Sequence, residues 1–457
     1  MLGRALANLK KTVYYFQRNG AGDTMRAIME RLQRRGKDYR FQPVEEAELA
    51  RQREECREMD SPKFSILVPL YHTPHRYLKE MIESVLAQSY PAWELVLADA
   101  SGQEELKAVV EKYEDPRILY FPLEGNEGIS GNSNRGLESV TGDYVGLLDH
   151  DDLLTPDALY EVWRCVCDGE KCGVPVELVY SDEDKCDGAT KVFYEPSLKE
   201  SFNLDLLLSQ NYICHFTVMK TELIRALGFR PDYDGAQDYD LLLRAVERLL
   251  NSGGDERRKN RKWEIRNENR IRHIPRVLYH WRCHEDSTSA NPRSKDYAYE
   301  AGRRALQDFV DRQGWQAVVT HMSHLGSYRI NYKQEFFEAR PDVGAVGGPV
   351  LSGGRVVGGR LKADGTPVHA GLKQSYLAYL PVQDAEALDL RNIRVREELQ
   401  GVFEEVLGVR YTTTGNGDSF DISVLTNGIS LTEAGVLVSN EIRRRGYRLL
   451  FKPDSNE

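Results

Sequence analysis

The sequence predicts an α/β fold built on a parallel sheet with helices on both faces. One observation is a series of short apolar runs, rich in Val, Ile and Leu, that have the length of buried strands. A second is the helical spacing of apolar residues between those runs, and a third is the regular alternation of the two patterns. Because such sheets bind ligands beyond the carboxyl ends of their strands, the residues after each strand are the first candidates for a functional site.

The alternation begins at Phe64, and each element is predicted from its own pattern. The predicted elements are, in order, a strand over Phe64–Tyr71, a helix with Met81, Ile82, Val85 and Leu86 on its apolar face, a strand over Glu94–Ala98, a helix over Leu106–Tyr113, a strand over Ile118–Phe121, a Gly/Asn-rich turn, a helix near Asn134–Val140 and a strand that begins at Tyr144. The first three of these elements form a βαβ unit.

The strand that begins at Tyr144 ends in a cluster of carboxylates, Asp149, Asp151 and Asp152. Two carboxylates one residue apart at the end of a strand can share a divalent ion, and Mg²⁺ or Mn²⁺ often joins such groups to the phosphates of a nucleotide. A solvated acidic turn is the alternative, because Asp is common where a strand gives way to a loop.

Length and composition restrict the class of protein. The chain has 457 residues, of which 41% are hydrophobic, and this is enough for two or three modules. It has no long apolar run and no secretory signal pattern, which predicts a cytoplasmic protein without a membrane span. Seven cysteines, an odd number, argue against a disulfide framework, and the net charge of −10 disfavours nucleic-acid binding.

Residues 1–60 are basic at first and acidic later, and they are predicted to form a helical N-terminal extension. Leu2, Leu6, Leu9, Val13 and Phe16 are spaced like one face of a helix. A basic amphipathic segment of this kind could contact the inner face of the plasma membrane peripherally, or it could dock on the domain that follows. The sequence leaves both alternatives open.

Six motifs, in order, give the chain a resemblance to a known family. They are FSILVPLY, ELVLADAS, GNEGISGNSNRGLESVTGDYVGLLDHDDLL, YSDEDK, GAQDYDLLLR and HIPRVLYHWRCHEDSTS. From about Lys63 to Ser289 the chain resembles a family 2 nucleotide-sugar glycosyltransferase with the GT-A fold. The resemblance implies a Rossmann-like, mixed and mostly parallel sheet flanked by helices.

The resemblance also implies a reaction. Glycosyl transfer from a nucleotide diphosphate needs a cation at the leaving diphosphate and a base for the attacking hydroxyl. By resemblance Asp149 and Asp151 form the Asp-x-Asp pair, the first near the ribose and metal and the second a direct ligand of Mg²⁺ or Mn²⁺. Asp238 matches the catalytic base, which inverts the anomeric carbon by single displacement. A helix-start carboxylate is the compatible structural interpretation, with Asp240 and Arg244 steadying that turn.

A nucleotide-binding set is implied in the same way. Its members are Pro69, Tyr71 and Asp99 around the nucleoside, and Gly128, Asn134 and Arg135 near the rest of the nucleotide. The chain departs from the family at Ala100, where relatives have a second acidic residue, so base contacts are expected to be fewer. Arg135 would suit a diphosphate, and a pair with a neighbouring carboxylate is the structural alternative.

Two later segments add three candidates. In the acidic cluster Tyr180–Asp184, the resemblance places Asp182 and Glu183 beside the donor sugar and the acceptor, and an ordinary acidic turn is the alternative. His284 matches a segment that gives some relatives a third metal ligand or phosphate contacts. A buried, hydrogen-bonded structural histidine is the other interpretation of His284.

The C-terminal part resembles a second glycosyltransferase domain in the segments DVGAVGGPVL, ADGTPVHAGL and SNEIRRRGYRLLFKP. Ser439 and Asn440 stand where relatives have acidic residues, so this domain is expected to be degenerate and noncatalytic. The predicted domains are a helical extension over 1–60, a GT-A catalytic domain over 61–320 and a smaller degenerate α/β module over 335–457.

Together these features predict a bacterial, metal-dependent inverting glycosyltransferase. Its expected partners are a UDP- or dTDP-sugar donor and a glycan or lipid-linked acceptor in cell-surface polysaccharide synthesis. A phosphohydrolase with an Asp-x-Asp nucleophile pair is one alternative, but that class places its nucleophile strand first, and here three predicted strands come earlier. A noncatalytic nucleotide-sugar or glycan-binding module is the other, and intact Asp149, Asp151 and Asp238 disfavour it.

Overall fold

The structure is a computed structural model that describes residues 12–13, 15–17, 20–25, 28, 39–57, 62–102, 104–251, 265–284, 296–413, 420–425 and 428–453. The chain divides into two compact units. The first contains the described residues within 1–202, 213–246 and 269–305, and the second those within 203–212, 247–268 and 306–457. Within the described ranges, none of the helices combines the length and the hydrophobicity that a membrane span requires.

The helices and strands are given in chain order. The helices are α1 (Glu46–Glu55), α2 (His75–Leu86), α3 (Glu104–Val110), α4 (Gly128–Ser139), α5 (Ala158–Lys171), α6 (Leu204–Leu207), α7 (Thr221–Leu227), α8 (Gln237–Leu250), α9 (Asp296–Arg312), α10 (Phe336–Ala339), α11 (Val402–Leu407) and α12 (Leu431–Arg444). The strands are β1 (Phe64–Leu70), β2 (Trp93–Asp99), β3 (Ile118–Pro122), β4 (Tyr144–Leu147), β5 (Leu153–Leu154), β6 (Leu178–Asp187), β7 (Phe193–Ser197), β8 (Thr217–Lys220), β9 (Ile271–Cys283), β10 (Ala317–His321), β11 (Tyr328–Tyr332), β12 (Val343–Gly347), β13 (Val350–Ser352), β14 (Arg355–Gly358), β15 (Arg360–Leu361), β16 (Gln383–Asp384), β17 (Ala387–Leu388), β18 (Ile393–Val395) and β19 (Arg448–Phe451).

The first unit is built on one mixed sheet with the strand order β3-β2-β1-β4-β8-β6-β9-β5, and β7 pairs with β6. The β3-β2-β1-β4 half and the β6-β9 pair are parallel, and β8 joins them through antiparallel pairs. The central β1 and β2 are almost entirely buried, as their continuous apolar runs predict, because helices cover the sheet. This arrangement confirms the predicted α/β class and the GT-A architecture.

The segment that precedes Asn134 is a correction to the sequence analysis. The Gly/Asn-rich stretch was predicted to be a turn, but α4 already begins at Gly128. Its small residues let the helix lie close to the sheet: a Cβ on Gly136 would stand 2.6 Å from Leu67 Cδ1 and 3.0 Å from Ala98 Cβ. Glycine therefore serves close packing here and does not break the helix.

The segment from residue 39 to the end of α1 packs against the first unit's own sheet. The Tyr39 hydroxyl donates to Asp184 on β6 at 2.6 Å. The Phe41 ring meets His280 of β9 edge-on, with ring centroids 4.5 Å apart. These contacts match the docking alternative for this part of the N-terminal extension.

The predicted membrane-facing residues are divided between described and undescribed parts of the chain. The side chains of Val13 and Phe16 lie on helical backbone and are exposed. Leu2, Leu6 and Leu9 lie outside the described residues. Peripheral membrane contact therefore stays a prediction.

The second unit has its own four-stranded sheet in the order β16-β19-β12-β18, in which β12 and β19 are parallel. Its core contains a buried ion cluster: Arg340 donates to both oxygens of Asp205, at 2.6 and 2.8 Å, and also to Asp342. Ser439 lies buried on α12, where its hydroxyl accepts a bond from the Leu388 backbone N–H. The structure divides the chain into two units, whereas the sequence predicted three contiguous domains. Those domain boundaries stay a prediction. The likeness of the C-terminal part to a glycosyltransferase also stays a prediction.

Candidate active site

The site is built on the loop that follows β4 at the carboxyl end of the parallel strands. Leu148 continues the β1–β4 pairing through a backbone bond to Leu67, so Asp149 is the first residue released from the sheet. The Asp149 backbone N–H donates to the Tyr279 hydroxyl at 3.3 Å. Its side chain stays 47% exposed, so its carboxylate is available to a ligand.

Asp152 ties this loop to β9. Its carboxylate is buried and accepts bonds from the Tyr279 hydroxyl at 2.6 Å and from the Arg282 backbone N–H at 2.7 Å. Burial raises the pKa of Asp152 well above its usual value, and the nearby Asp151 and Asp149 raise it further. Asp152 thus supports the loop that carries the two other aspartates.

Asp151 points toward His284. The His284 Nε2 lies 2.9 Å from Asp151 Oδ2, and both side chains are largely buried. Burial acts to raise the pKa of Asp151, but the hydrogen bond with His284 and the charges of His150 and His284 outweigh it, so the pKa is lowered. The buried Arg282 stabilises the backbone of Asp151, because its Nε donates to the Asp151 carbonyl at 2.5 Å.

His215 is a site residue that the sequence analysis missed. Its Nε2 lies 4.0 Å from Asp149 Oδ2, and its ring stacks on Tyr279 with centroids 4.6 Å apart and planes 10° apart. It precedes β8, the antiparallel neighbour of β4, and this pairing brings it to the Asp149 loop. The sequence signal was a Cys214-His215 pair just before an apolar strand, but its closeness to Asp149 depends on a pairing that no local pattern predicts.

Asp238 lies in the first turn of α8, and its charge contributes to the electrostatic environment of Asp149. Although the Asp149 side chain is 47% exposed, desolvation by the protein around it raises its pKa; the charges of Asp151 and Asp238 add to the rise, and the charge of His215 opposes it. Two residues further on, the buried Asp240 pairs with Arg230 and Arg244. Asp240 therefore steadies the start of the helix, while the role of Asp238 as the base stays a prediction.

Asp182 and Glu183 lie within β6, so the alternative of an acidic turn is wrong. Asp182 accepts from the Lys199 backbone N–H at 2.8 Å, and His273 Nε2 lies 2.8 Å from the same oxygen. Glu183 accepts from the His215 backbone N–H at 3.2 Å. The continuous strand explains the correction, because β6 pairs with β8 and β9 on its two sides.

The predicted nucleoside residues lie at the ends of neighbouring strands. Pro69 is on β1, the exposed Tyr71 follows it, and the register pairs Leu70 with Asp99 at the end of β2. Asp99 is buried, and it accepts from the Tyr120 hydroxyl at 2.5 Å and from the Ser101 backbone N–H at 2.8 Å.

The residues predicted near the nucleotide lie on α4. Gly128 starts the helix with a φ of +78°. The Asn134 side chain forms two hydrogen bonds with the backbone of Phe229. Its Nδ2 donates to the carbonyl and its Oδ1 accepts from the N–H, both at 2.8 Å. Arg135 is half-exposed, and its guanidinium lies 3.6 Å from Glu138, which is the structural alternative named for it.

Comparison with known proteins shows that part of the chain matches the model of one protein family. Residues 65–228 match the family model described as glycosyl transferase family 2, a segment that runs from β1 past β8 and includes Asp149, Asp151 and His215. Over this segment the chain is similar to glycosyl transferase family 2.

Two relatives with more than 30% identity are much longer than this chain. The uncharacterized protein y4gI of Sinorhizobium fredii is 39% identical over 60% of this chain and 28% of its own length. The O-antigen biosynthesis protein RfbC of Myxococcus xanthus is 31% identical over 59% of this chain and 20% of its own length. The chain thus spans less than a third of either relative. Among solved structures, S. aureus TarS residues 1–349 aligns with 54% of this chain and 65% of its own, with 18% identity and a TM-score of 0.40.

The candidate site has side-chain groups that could hold a divalent cation. Within the described ranges, two groups of three ligand atoms lie within 4.8 Å of one another: Asp149, Asp152 and His215, and Glu183, Cys214 and His215. Carboxylate oxygens suit Mg²⁺ and Mn²⁺, whereas imidazole is a ligand more typical of transition metals. The second group fits poorly, because Lys199 stands 3.5 Å from Glu183 and burial raises the pKa of the Cys214 thiol well above its usual value.

Proposed function

We propose that this chain is a metal-dependent inverting glycosyltransferase. It would move a sugar from a nucleotide diphosphate donor, a UDP- or dTDP-sugar, to a glycan or lipid-linked acceptor in cell-surface polysaccharide synthesis. The observation that carries the proposal is the position of Asp149 and Asp151 directly after β4, at the carboxyl end of the parallel strands and within the segment that matches glycosyl transferase family 2.

Asp238 is the general base of the proposal. It takes the proton from the acceptor hydroxyl, whose oxygen bonds to the anomeric carbon as the bond to the diphosphate oxygen breaks. Single displacement inverts the anomeric configuration. The neighbouring Asp240 is fully engaged with Arg230 and Arg244, so it would position the helix start and leave proton transfer to Asp238.

Asp149 and Asp151 would hold the donor side of the site, with Mg²⁺ or Mn²⁺ when it is bound. The cation would supply positive charge to the leaving diphosphate. Asp152, Tyr279 and Arg282 would keep the two carboxylates in place through the hydrogen bonds of the β4 loop. Tyr71 and Asp99, at adjoining strand ends, would receive the nucleoside.

The comparison with RfbC supports the cell-surface assignment, since that relative is named for O-antigen biosynthesis and shares 31% identity over 59% of this chain. The donor nucleotide, the acceptor and the cytoplasmic location belong to the proposal. Peripheral contact with the inner face of the membrane would bring the site close to a lipid-linked acceptor.

The test is turnover of a panel of UDP- and dTDP-sugars with Mn²⁺ or Mg²⁺, measured as release of the nucleotide diphosphate and linkage to saccharide acceptors. Asp238→Asn should lower kcat by about 10²- to 10⁴-fold while donor binding, measured by calorimetry, persists. Asp232→Asn is the matched control, because that carboxylate is exposed six positions earlier. It should leave kcat unchanged.

Two results would contradict the proposal. Full turnover by Asp238→Asn would show that Asp238 is not the general base. Metal-dependent donor binding without turnover by the wild-type chain, across the panel of acceptors, would favour the noncatalytic binding module.

A further inference from the structure

We propose that His215 is a direct ligand of the divalent cation at Asp149. The inference deepens the proposed function and rests on it, since it names a ligand of the cation on which transfer would depend. It differs from the ligand set expected from the sequence, which consists of Asp149, Asp151 and His284.

The first argument is the separation of the two side chains. The 4.0 Å between His215 Nε2 and Asp149 Oδ2 is too long for a hydrogen bond. Two ligands that each bind one ion at about 2.1 Å can stand at most about 4.2 Å apart. The pair can therefore share an ion without movement of the backbone.

The second argument is that the His215 ring nitrogens have no hydrogen-bond partner in the part of the chain that the structure describes, although the side chain is only 17% exposed. An ion that enters from solvent could therefore bind a ring nitrogen without breaking a hydrogen bond. Asp152, the third member of the group, has both oxygens engaged by Tyr279 and Arg282, so it supports the site from behind.

The third argument is that the position of His215 is fixed by a buried ion pair. The Lys199 ammonium is 2% exposed and donates to the carbonyls of Ile213, at 2.5 Å, and His215. Glu183, 3.5 Å from Lys199, accepts the His215 backbone N–H. Stacking on Tyr279 then sets the plane of the ring. Ligand groups of metal sites are commonly held by such outer contacts.

The experiment uses the full chain with Mn²⁺ alone, so it does not depend on the donor or on turnover. Pulsed electron paramagnetic resonance detects nitrogen bound directly to Mn²⁺, and it should show a coupled ¹⁴N in the wild-type protein. His215→Gln should lose this coupling and bind Mn²⁺ about tenfold or more weakly. His284→Gln is the matched control and should keep the coupling.

Persistence of the nitrogen coupling in His215→Gln would overturn the inference, and so would wild-type protein that binds Mn²⁺ without nitrogen or does not bind it. If His215→Gln does not fold, as judged by circular dichroism, the double variant His150→Gln/His284→Gln labelled with ¹⁵N-histidine decides instead. Conversion of the ¹⁴N coupling to a ¹⁵N coupling in that variant supports His215, and its absence rejects it. A nitrogen-ligated Mn²⁺ in a protein without turnover would reject the transferase and leave the cation site in place.

Discussion

The Tyr279 hydroxyl donates to Asp152 Oδ2 at 2.6 Å and thereby joins the loop after β4 to β9. The same hydroxyl accepts the Asp149 backbone N–H at 3.3 Å. One buried oxygen therefore bonds to two residues of the same loop. The position of Asp149 depends on a strand more than a hundred residues away in sequence, because the bond spans 130 positions.

Tyr279→Phe is expected to destabilise the protein by about 1–3 kcal/mol, because it leaves the buried Asp152 without one of its two donors. The measurement is the urea midpoint at pH 7. Tyr113→Phe is the matched control, since its hydroxyl is 3.4 and 3.5 Å from its partners and lies near the surface. That substitution should shift stability by less than about 0.5 kcal/mol, and equal midpoints for the two variants would contradict the role of Tyr279.

The aspartates after β4 could be predicted because the signal is local. A buried strand has a recognisable apolar run, and residues directly after it must lie at the edge of the sheet. The positions of Asp149 and Asp238 follow from such runs and from a helix start. Family resemblance then linked them, which local patterns alone could not.

His215 and the contacts of Asn134 could not be predicted because they depend on distant pairings. His215 reaches Asp149 through the antiparallel pair that matches Gly146 with Val218. Asn134 binds Phe229, which is 95 positions away. The start of α4 at Gly128 was missed for another reason. The low helix propensity of glycine predicts a turn there, but close packing on the sheet outweighs that propensity.

Asn134→Asp separates a structural role from nucleotide binding. Aspartate would turn an acceptor toward the Phe229 carbonyl in place of the Nδ2 donor, so stability should fall by about 1–3 kcal/mol. In Asn126, the matched control, the side-chain oxygen accepts both of its hydrogen bonds, so Asn126→Asp keeps them. Urea midpoints and donor affinity are measured for both. Unchanged stability with weaker donor binding in Asn134→Asp would assign Asn134 to the nucleotide.

Gly128→Ala tests the start of α4. Its φ of +78° disfavours a side chain, and a Cβ would lie 2.4 Å from Asp234 Oδ2. Gly173 is the matched control, because it has a φ of +70° with open space around its Cβ position. Gly173→Ala should cost about 1–2 kcal/mol for the left-handed backbone alone, and Gly128→Ala should cost more. Equal losses in thermal or urea unfolding would mean that Asp234 moves aside freely.

Glu94→Gln should produce a stability loss that depends on pH. Burial acts to raise the pKa of Glu94, but hydrogen bonds from Lys63, Ser65 and Thr141 outweigh it and lower the pKa from 4.5 to about 2. A depressed carboxyl pKa stabilises the fold above pH 4.5, and this contribution is lost as the pH falls from 4.5 toward 2. The difference corresponds to about 3 kcal/mol at pH 7 and about half of that near pH 3.

Urea midpoints of the wild type and Glu94→Gln should therefore converge as the solution is acidified. The exposed Glu124, changed to Gln, should show no such convergence, and a constant gap between Glu94→Gln and the wild type from pH 7 to pH 3 would refute the role of the Glu94 charge.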